Sequence, residues 1–241
     1  MLKQRLFLSF LLLPCFLFGP SSPLHAAPKA VIRGASISGA RVAPAVVDPC
    51  EGVAVGDPCS NGVLYAGTGF ATLGSDYKYM TTPGNCSDFA NNFTEFTPTC
   101  NGATDTLGNK GYANGSGASA YHTTTGMASF VTGASNTMSL ATMYTDTDAA
   151  RYCHNMVYPA GGYSDWYLPA RDELNLVLYG MHLAGKGSFS TANWYWSSSE
   201  QAANNGWAKI FTDGSYYNCE KPNNHIVRCV RRYLVSGGFI R

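Results

Sequence analysis

Three rhythms of apolar residues run along the chain. Residues 6–18 are almost continuously apolar, interrupted by Ser9, Pro14 and Cys15. Residues 50–144 are dense in Gly, Ser, Thr and Asn, with short apolar pieces at Val63-Leu64-Tyr65, Tyr77-Lys78-Tyr79-Met80 and Ala128-Ser129-Phe130-Val131. Turn-forming residues between these pieces predict short strands and long loops. Residues 109–117 hold almost nothing apolar and read as a surface loop. From 145 the rhythm turns helical. Thr145-Asp146-Thr147-Asp148 supplies capping oxygens and negative charge for a helix start. Ala149, Tyr152, Cys153, Met156 and Val157 follow at helical spacing, and Gly161-Gly162 ends that helix. Asp165-Trp166-Tyr167-Leu168 reads as extended. Pro169 opens a second helix, with Asp172-Glu173 in its first turn. Leu174, Val177, Leu178 and Met181 form its apolar face.

After Gly185 the period drops to two. Trp194-Tyr195-Trp196-Ser197-Ser198 and residues 206–211 predict two strands. Asp213-Gly214 marks a hairpin turn, with Tyr216-Tyr217 on the return. Residues 226–231 predict a closing strand, with Ile226, Arg228 and Val230 on one face and Val227, Cys229 and Arg231 on the other. Two helices followed by antiparallel strands make an α+β unit.

The first apolar run belongs to a signal peptide, residues 1–27. Lys3 and Arg5 precede it, and Leu24-His25-Ala26-Ala27 offers a cleavage site. At roughly 13 residues the run is too short to span a bilayer. Cys15 follows Pro14 where a lipoprotein signal wants a small residue. Residues 28–49, rich in Ala, Val and Pro, read as a linker or N-terminal arm. The expected order is therefore signal peptide 1–27, arm 28–49, loop-rich β region 50–144 and α+β domain 145–241. The protein is expected to be secreted, periplasmic or at the cell surface, with no transmembrane segment once the signal is removed.

Charge narrows the function. The 241-residue chain has a formal net charge of +1 and only 13% charged residues. Without Lys3 and Arg5 there are 14 basic residues against 15 acidic ones, a net of −1. Such a chain lacks the basic excess that nucleic-acid binding needs. Its 13% aromatic content excludes a charged disordered tail.

Seven cysteines remain after the signal, and in an oxidising compartment disulfides are the default. Cys50 and Cys59 flank one short loop, and Cys86 and Cys100 flank another, so each is expected to pair locally. An odd count leaves one thiol free or paired between chains. There is no CxxC and no His-rich cluster, so no zinc site is expected.

Catalytic motifs are scarce: no GxSxG elbow, phosphate loop or HExxH occurs. After the signal the chain has His122, His154, His182 and His225, of which His154 and His182 fall on helices as packing or surface residues. Cys219 and His225 lie six positions apart, a weak basis for a nucleophile pair. Asp172-Glu173 reads as helix-start acids rather than glycosidase carboxylates. Asp165 and Glu200 are expected to hydrogen-bond to backbone. Trp194, Trp196 and Trp207 have a core reading as alternating strand residues. The stretch 201–225 carries the best candidate surface: Trp207, Tyr216, Tyr217, Asn218, Asn223 and Asn224. Rigid rings and adaptable amides of this kind suit a recognition surface. Lys209, Lys221, Arg228, Arg231 and Arg232 would add a basic edge able to meet sulfate or carboxylate.

Four motifs occur in order: Gly161-Gly162-Tyr163-Ser164-Asp165-Trp166-Tyr167-Leu168-Pro169, Asp172-Glu173-Leu174, Tyr195-Trp196-Ser197-Ser198-Ser199-Glu200 and Val227-Arg228-Cys229-Val230-Arg231. Over roughly 145–233 the chain resembles the Lcl C-terminal domain family, bacterial surface domains first named from a collagen-like adhesin. Val63-Leu64-Tyr65-Ala66-Gly67 and the Cys86/Cys100 pair are similar to longer members. The resemblance implies a C-type-lectin-like fold, related to that of formylglycine-generating enzymes, and a role in adhesion that includes binding sulfated polysaccharides. It also implies a Cys153–Cys229 disulfide, leaving Cys219 as the free thiol. That bridge would close a 76-residue separation, worth about 4.5 kcal/mol in the chain-entropy model.

The expectation is an exported, adhesin-like recognition module that is not an enzyme and binds a glycan, sulfated or acidic, or a surface protein. One alternative is a cysteine-dependent oxidase built on Cys219. Another is a structural subunit of a surface assembly. No cofactor is expected. Calcium is the one candidate, at Glu220-Lys221-Pro222-Asn223 beside Asn204-Asn205-Gly206-Trp207, which resemble imperfectly the calcium-binding sequences of C-type lectins.

Overall fold

A computed structural model describes residues 48–74, 76–86, 100, 109–110, 112, 126–143 and 148–234. The expected signal peptide, nearly all of the arm 28–49, His122 and the Thr145-Asp146-Thr147 cap lie outside the described residues. The described residues belong to one compact unit, 45–241.

Two sheets organise it. In the first, β1 (Leu64–Thr68), β2 (Tyr77–Thr81) and β8 (Val230–Leu234) pair antiparallel in the order β1-β2-β8. The second runs β3 (Asn109–Lys110), β7 (His225–Ile226), β4 (Trp194–Ala202), β5 (Asn205–Ile210), β6 (Tyr216–Glu220). Its pairs are antiparallel apart from β4 with β7, which is parallel. The stretches 50–144 and 145–241 thus share both sheets. The boundary at 144/145 divides the sequence but not the fold.

The single closing strand expected over 226–231 is two strands. β7 ends at Ile226 and β8 begins at Val230, in different sheets. The alternation survives the break. Ile226 and Val230 enter one core cluster, and Val227 and Cys229 the other. The side chain of Arg228, between the strands, is buried. Its guanidinium donates to Thr81 Oγ1 (3.1 Å), Asn85 Oδ1 (3.2 Å), Thr82 O (2.5 Å) and Gly187 O (2.9 Å). Backbone and amide oxygens satisfy it there, so the chain can bend at a buried cation.

Among the described residues, three helices longer than one turn pack with the sheets. The sequence reading missed α1 (Gly133–Met143). Its buried positions are Gly133, Asn136, Thr137, Leu140 and Ala141, a helical face made partly of polar residues. Asn136 Nδ2 donates to Ser129 O (2.9 Å), and Thr137 Oγ1 donates to Leu168 O (3.1 Å). The helix start lies so close to the next element that a Cβ on Gly133 would sit 2.5 Å from Ala170 N, which demands glycine. Ala128-Ser129-Phe130-Val131, expected as a strand, is irregular chain leading into α1, and Ser129 O is spent on side chains.

α2 (Asp148–Asn155) ends before the Gly161-Gly162 pair, and Tyr158 bridges to Tyr163 across the following turn. α3 spans 171–183, with Ala170 rather than Pro169 at its boundary and a π-helical middle, Leu174–Tyr179. Leu174, Val177, Leu178 and Met181 are buried as expected. The loop reading of 109–117 is corrected in part. Asn109 and Lys110 pair with β7, and the Tyr112 side chain is fully buried, its hydroxyl donating to Ser198 O (3.0 Å).

Three disulfides close the framework: Cys50–Cys59, Cys86–Cys100 and Cys153–Cys229. The last joins α2 to the β7–β8 connection across 76 positions. Cys219 is free and buried.

Candidate functional site

The second sheet presents the sequence-predicted residues, but on two opposite faces. Cross-strand partners share a face and neighbours along a strand do not. Pairing sets Trp196 opposite Ala208 and Ala208 opposite Tyr217. It sets Trp207 opposite Asn218 and Lys209 opposite Tyr216. Tyr216 and Tyr217 therefore point to different sides, and the single surface expected from 201–225 becomes two.

The first face carries Trp194, Trp196, Tyr217, Cys219 and His225. Trp196 is fully buried against Tyr112, with ring centroids 5.6 Å apart. Gly206 lets these rings close over β5, since a Cβ there would meet Tyr112 at 3.0 Å and Trp196 at 3.1 Å. Cys219, paired with Gly206, lies in the same core, and burial pushes its thiol up to about 12. Toward the margin Tyr217 is 38% exposed and stacks on Trp194, with centroids 4.7 Å apart and planes 9° from parallel. His225 lies 5.1 Å from the Trp194 ring and 4.6 Å from that of Trp196. Its Nε2 is buried with no hydrogen-bond partner among the described residues, and burial pushes its pKa down to about 4. Asn223 and Asn224, just before β7, are exposed.

The second face meets the start of α3. Arg171, which sequence reasoning did not single out, projects among rings. Its guanidinium carbon lies 3.6 Å from the Phe130 centroid, 5.5 Å from that of Trp207 and 5.4 Å from that of Tyr216. Asp172 Oδ1 accepts from Arg171 Nε at 3.0 Å. Tyr216 donates its hydroxyl to Arg171 O at 3.3 Å, and burial pushes its pKa up to about 12. Trp207 and Tyr216 are half-buried, and Asn218 is exposed. No sequence signal ties Phe130 to Arg171, because their contact is made by the fold.

The expected basic edge is absent as an edge. Lys209 is buried, donates to Gly214 O within its own hairpin and lies 4.4 Å from the Tyr179 ring and 4.1 Å from that of Tyr216. Burial pushes its pKa down to about 8. Lys221 is also buried, pairing with Glu200 and donating to Ala203 O (2.7 Å). Arg231 makes a two-pronged pair with Asp165 at 2.7 and 2.8 Å. Arg232 reaches Glu173 at 3.4 Å. Lys209 and Lys221 are thus corrected from ligand contacts to interior cations, because oxygens and rings inside the fold already satisfy them.

The expected carboxylate roles shift with them. Asp165 and Glu200 pair with cations, although Glu200 also accepts Gly126 N–H at 2.8 Å. Glu173 is fully buried, accepting from Gly133 N (3.1 Å), Ala170 N (2.9 Å) and the Tyr167 hydroxyl (3.0 Å). Burial pushes its carboxyl up to about 7 against those donors. At the calcium candidate, Lys221 turns inward between Glu220 and Asn223. Among the described residues, no three His, Cys, Asp or Glu side chains gather within reach of one ion.

These features define an α+β domain tied by three disulfides, a construction compatible with an extracellular location. Residues 113–231 match the family model of the Lcl C-terminal domain, and the chain carries a domain of that family. The match takes in α1, upstream of the four ordered motifs. Membership points to a surface-associated domain. No curated protein matches the sequence. No helix among the described residues is long and apolar enough to cross a membrane.

Proposed function

We propose that the chain is an exported, non-catalytic recognition module of lectin-like fold that holds a glycan at the cell surface. One observation carries this reading: the margin of the β4–β5–β6 sheet presents an exposed stacked ring pair, followed in the chain by exposed amides. Tyr217 lies exposed and flat on Trp194, and the exposed Asn223 and Asn224 follow it in the chain just before β7. Stacked rings give a rigid surface for sugar C–H groups, and amides read hydroxyls. The alternative cysteine-oxidase reading needs a reachable thiolate, and the buried, protonated Cys219 works against it.

The test is a glycan array with the mature protein, alongside a Tyr217→Ala/Asn223→Ala/Asn224→Ala variant. The expected result is capture by the parent protein that the variant loses while keeping its near-ultraviolet circular dichroism. A blank array from folded parent protein would overturn the glycan reading. Co-purification with partner subunits would then favour an assembly component.

A further inference from the structure

We propose that Arg171, framed by Phe130, Trp207 and Tyr216, is a binding site for the single carboxylate of an acidic sugar. The inference rests on the recognition reading and places a specific site on the opposite face of the sheet from Tyr217.

The guanidinium is held in place but only partly used. Phe130 stacks on it at 3.6 Å, and Asp172 engages its Nε. The two terminal nitrogens have no hydrogen-bond partner among the described residues, and neither is among the buried unpartnered atoms. The side chain is 26% exposed, so that end of the fork faces solvent. A planar fork fixed at its root and open at its tip matches a carboxylate through two parallel N–H···O bonds. Lys209, Lys221, Arg228 and Arg231 are buried and engaged.

The surroundings select the rest of the ligand. Trp207 and Tyr216 stand about the fork, and the exposed Asn218 amide lies across from Trp207 on the neighbouring strand. Rings offer faces to a pyranose, and the amide can read its hydroxyls. Asp172 holds the Arg171 Nε, and Asp213 and Glu220 are exposed on the β5–β6 hairpin. These acids would repel a densely sulfated chain while one carboxylate on an otherwise neutral sugar still pairs. A carboxylate on a peptide lacks the sugar ring that Trp207 and Tyr216 would cover.

The experiment titrates the intact protein with the methyl glycosides of glucuronic acid and N-acetylneuraminic acid, followed by ligand-observed NMR. Controls are the corresponding carboxyl methyl esters, a sulfated monosaccharide and N-acetylglutamate amide. The acids should bind and the esters should not. Arg171→Lys, which keeps the charge and loses the fork, should weaken binding at least tenfold. Lys186→Ala, which removes an exposed cation paired with Asp57, should leave it unchanged. Equal binding of acid and ester, or undiminished binding by Arg171→Lys, overturns the proposal. So does equal binding of the sulfated sugar or the glutamate derivative. The ester comparison uses the unmutated protein and holds even if Arg171 variants fold poorly. If the acids fail but neutral sugars are captured and Tyr217→Ala abolishes that capture, this inference falls and the recognition reading stands. If the folded protein captures no sugar, both fall.

Discussion

The two faces of the five-stranded sheet are made of similar residues and behave differently. On the face of Trp194, Trp196 and Tyr217, rings meet rings, and the inner half becomes dry core. On the face of Trp207 and Tyr216, rings meet cations, Arg171 from α3 and Lys209 from β5. The first arrangement buries apolar area and leaves one exposed stacked pair at its margin. The second holds charge among polarisable surfaces with a guanidinium edge open. What an aromatic residue does here depends on what crosses to meet it, not on its position in the strand alone.

Reactivity separates the inner core from any exposed site most sharply. Buried and with its thiol pushed up to about 12, Cys219 should label with a thiol reagent at least about tenfold more slowly than an exposed cysteine at pH 8. Labelling should become fast only after unfolding. Fast labelling of the native protein would place Cys219 outside the core and restore the oxidase alternative.

Stability offers the next break. Trp196→Ala removes a fully buried ring and should cost about 3–5 kcal/mol in urea unfolding. Trp207→Ala, half-buried beside a cation, should cost about half as much or less. Equal losses would mean that the second face is as much core as the first.

Much of this was legible in the residues. The buried face of Ala149, Tyr152 and Cys153, the 174–181 period, the Asp213-Gly214 hairpin and the alternation across 226–231 all appear in the structure, because each encodes burial directly, although α2 stops at Asn155, short of Val157. α1 escaped because Asn136 and Thr137 occupy its core positions and are satisfied by Ser129 O and Leu168 O, so its buried face does not look apolar. The interior cations escaped for the same reason. Lys209 and Lys221 look like surface charge until Gly214 O and Glu200 are brought beside them. The period of two already separates Tyr216 from Tyr217, but only a strand assignment through 220 makes that separation count. Arg171 was hidden because the ring stacked on it belongs to an irregular segment 41 positions earlier.

Acid should act on the first face. His225 is neutral in the folded protein down to about pH 4, whereas the unfolded side chain titrates near the ordinary histidine value of 6.5. Between those values the unfolded state binds more protons. Stability should therefore be complete above pH 6.5 and fall as pH drops toward 4. The expected contribution is on the order of 2 kcal/mol after solvent screening. Urea midpoints measured across that range should fall less steeply in His225→Asn. An unchanged slope would place the imidazole in water rather than beside Trp194 and Trp196.

Alkali should act on the second face, with a slope of the same sign and a smaller effect. Burial lowers the Lys209 pKa to about 8, against 10.5 when unfolded. From 8 to 10.5 the unfolded state again holds the extra proton, so this contribution makes the fold more stable as pH rises. Asp213 beside the ammonium and the Gly214 carbonyl on it limit the effect. A modest upward slope in urea midpoint over that window, flattened in Lys209→Met, is expected. A slope of the other sign would mean that Lys209 gains more from Tyr179, Tyr216 and Gly214 O than it loses in leaving water. The second face would then be a cation-stabilising surface throughout, and the contrast with the first would rest on Arg171 and Lys209 together.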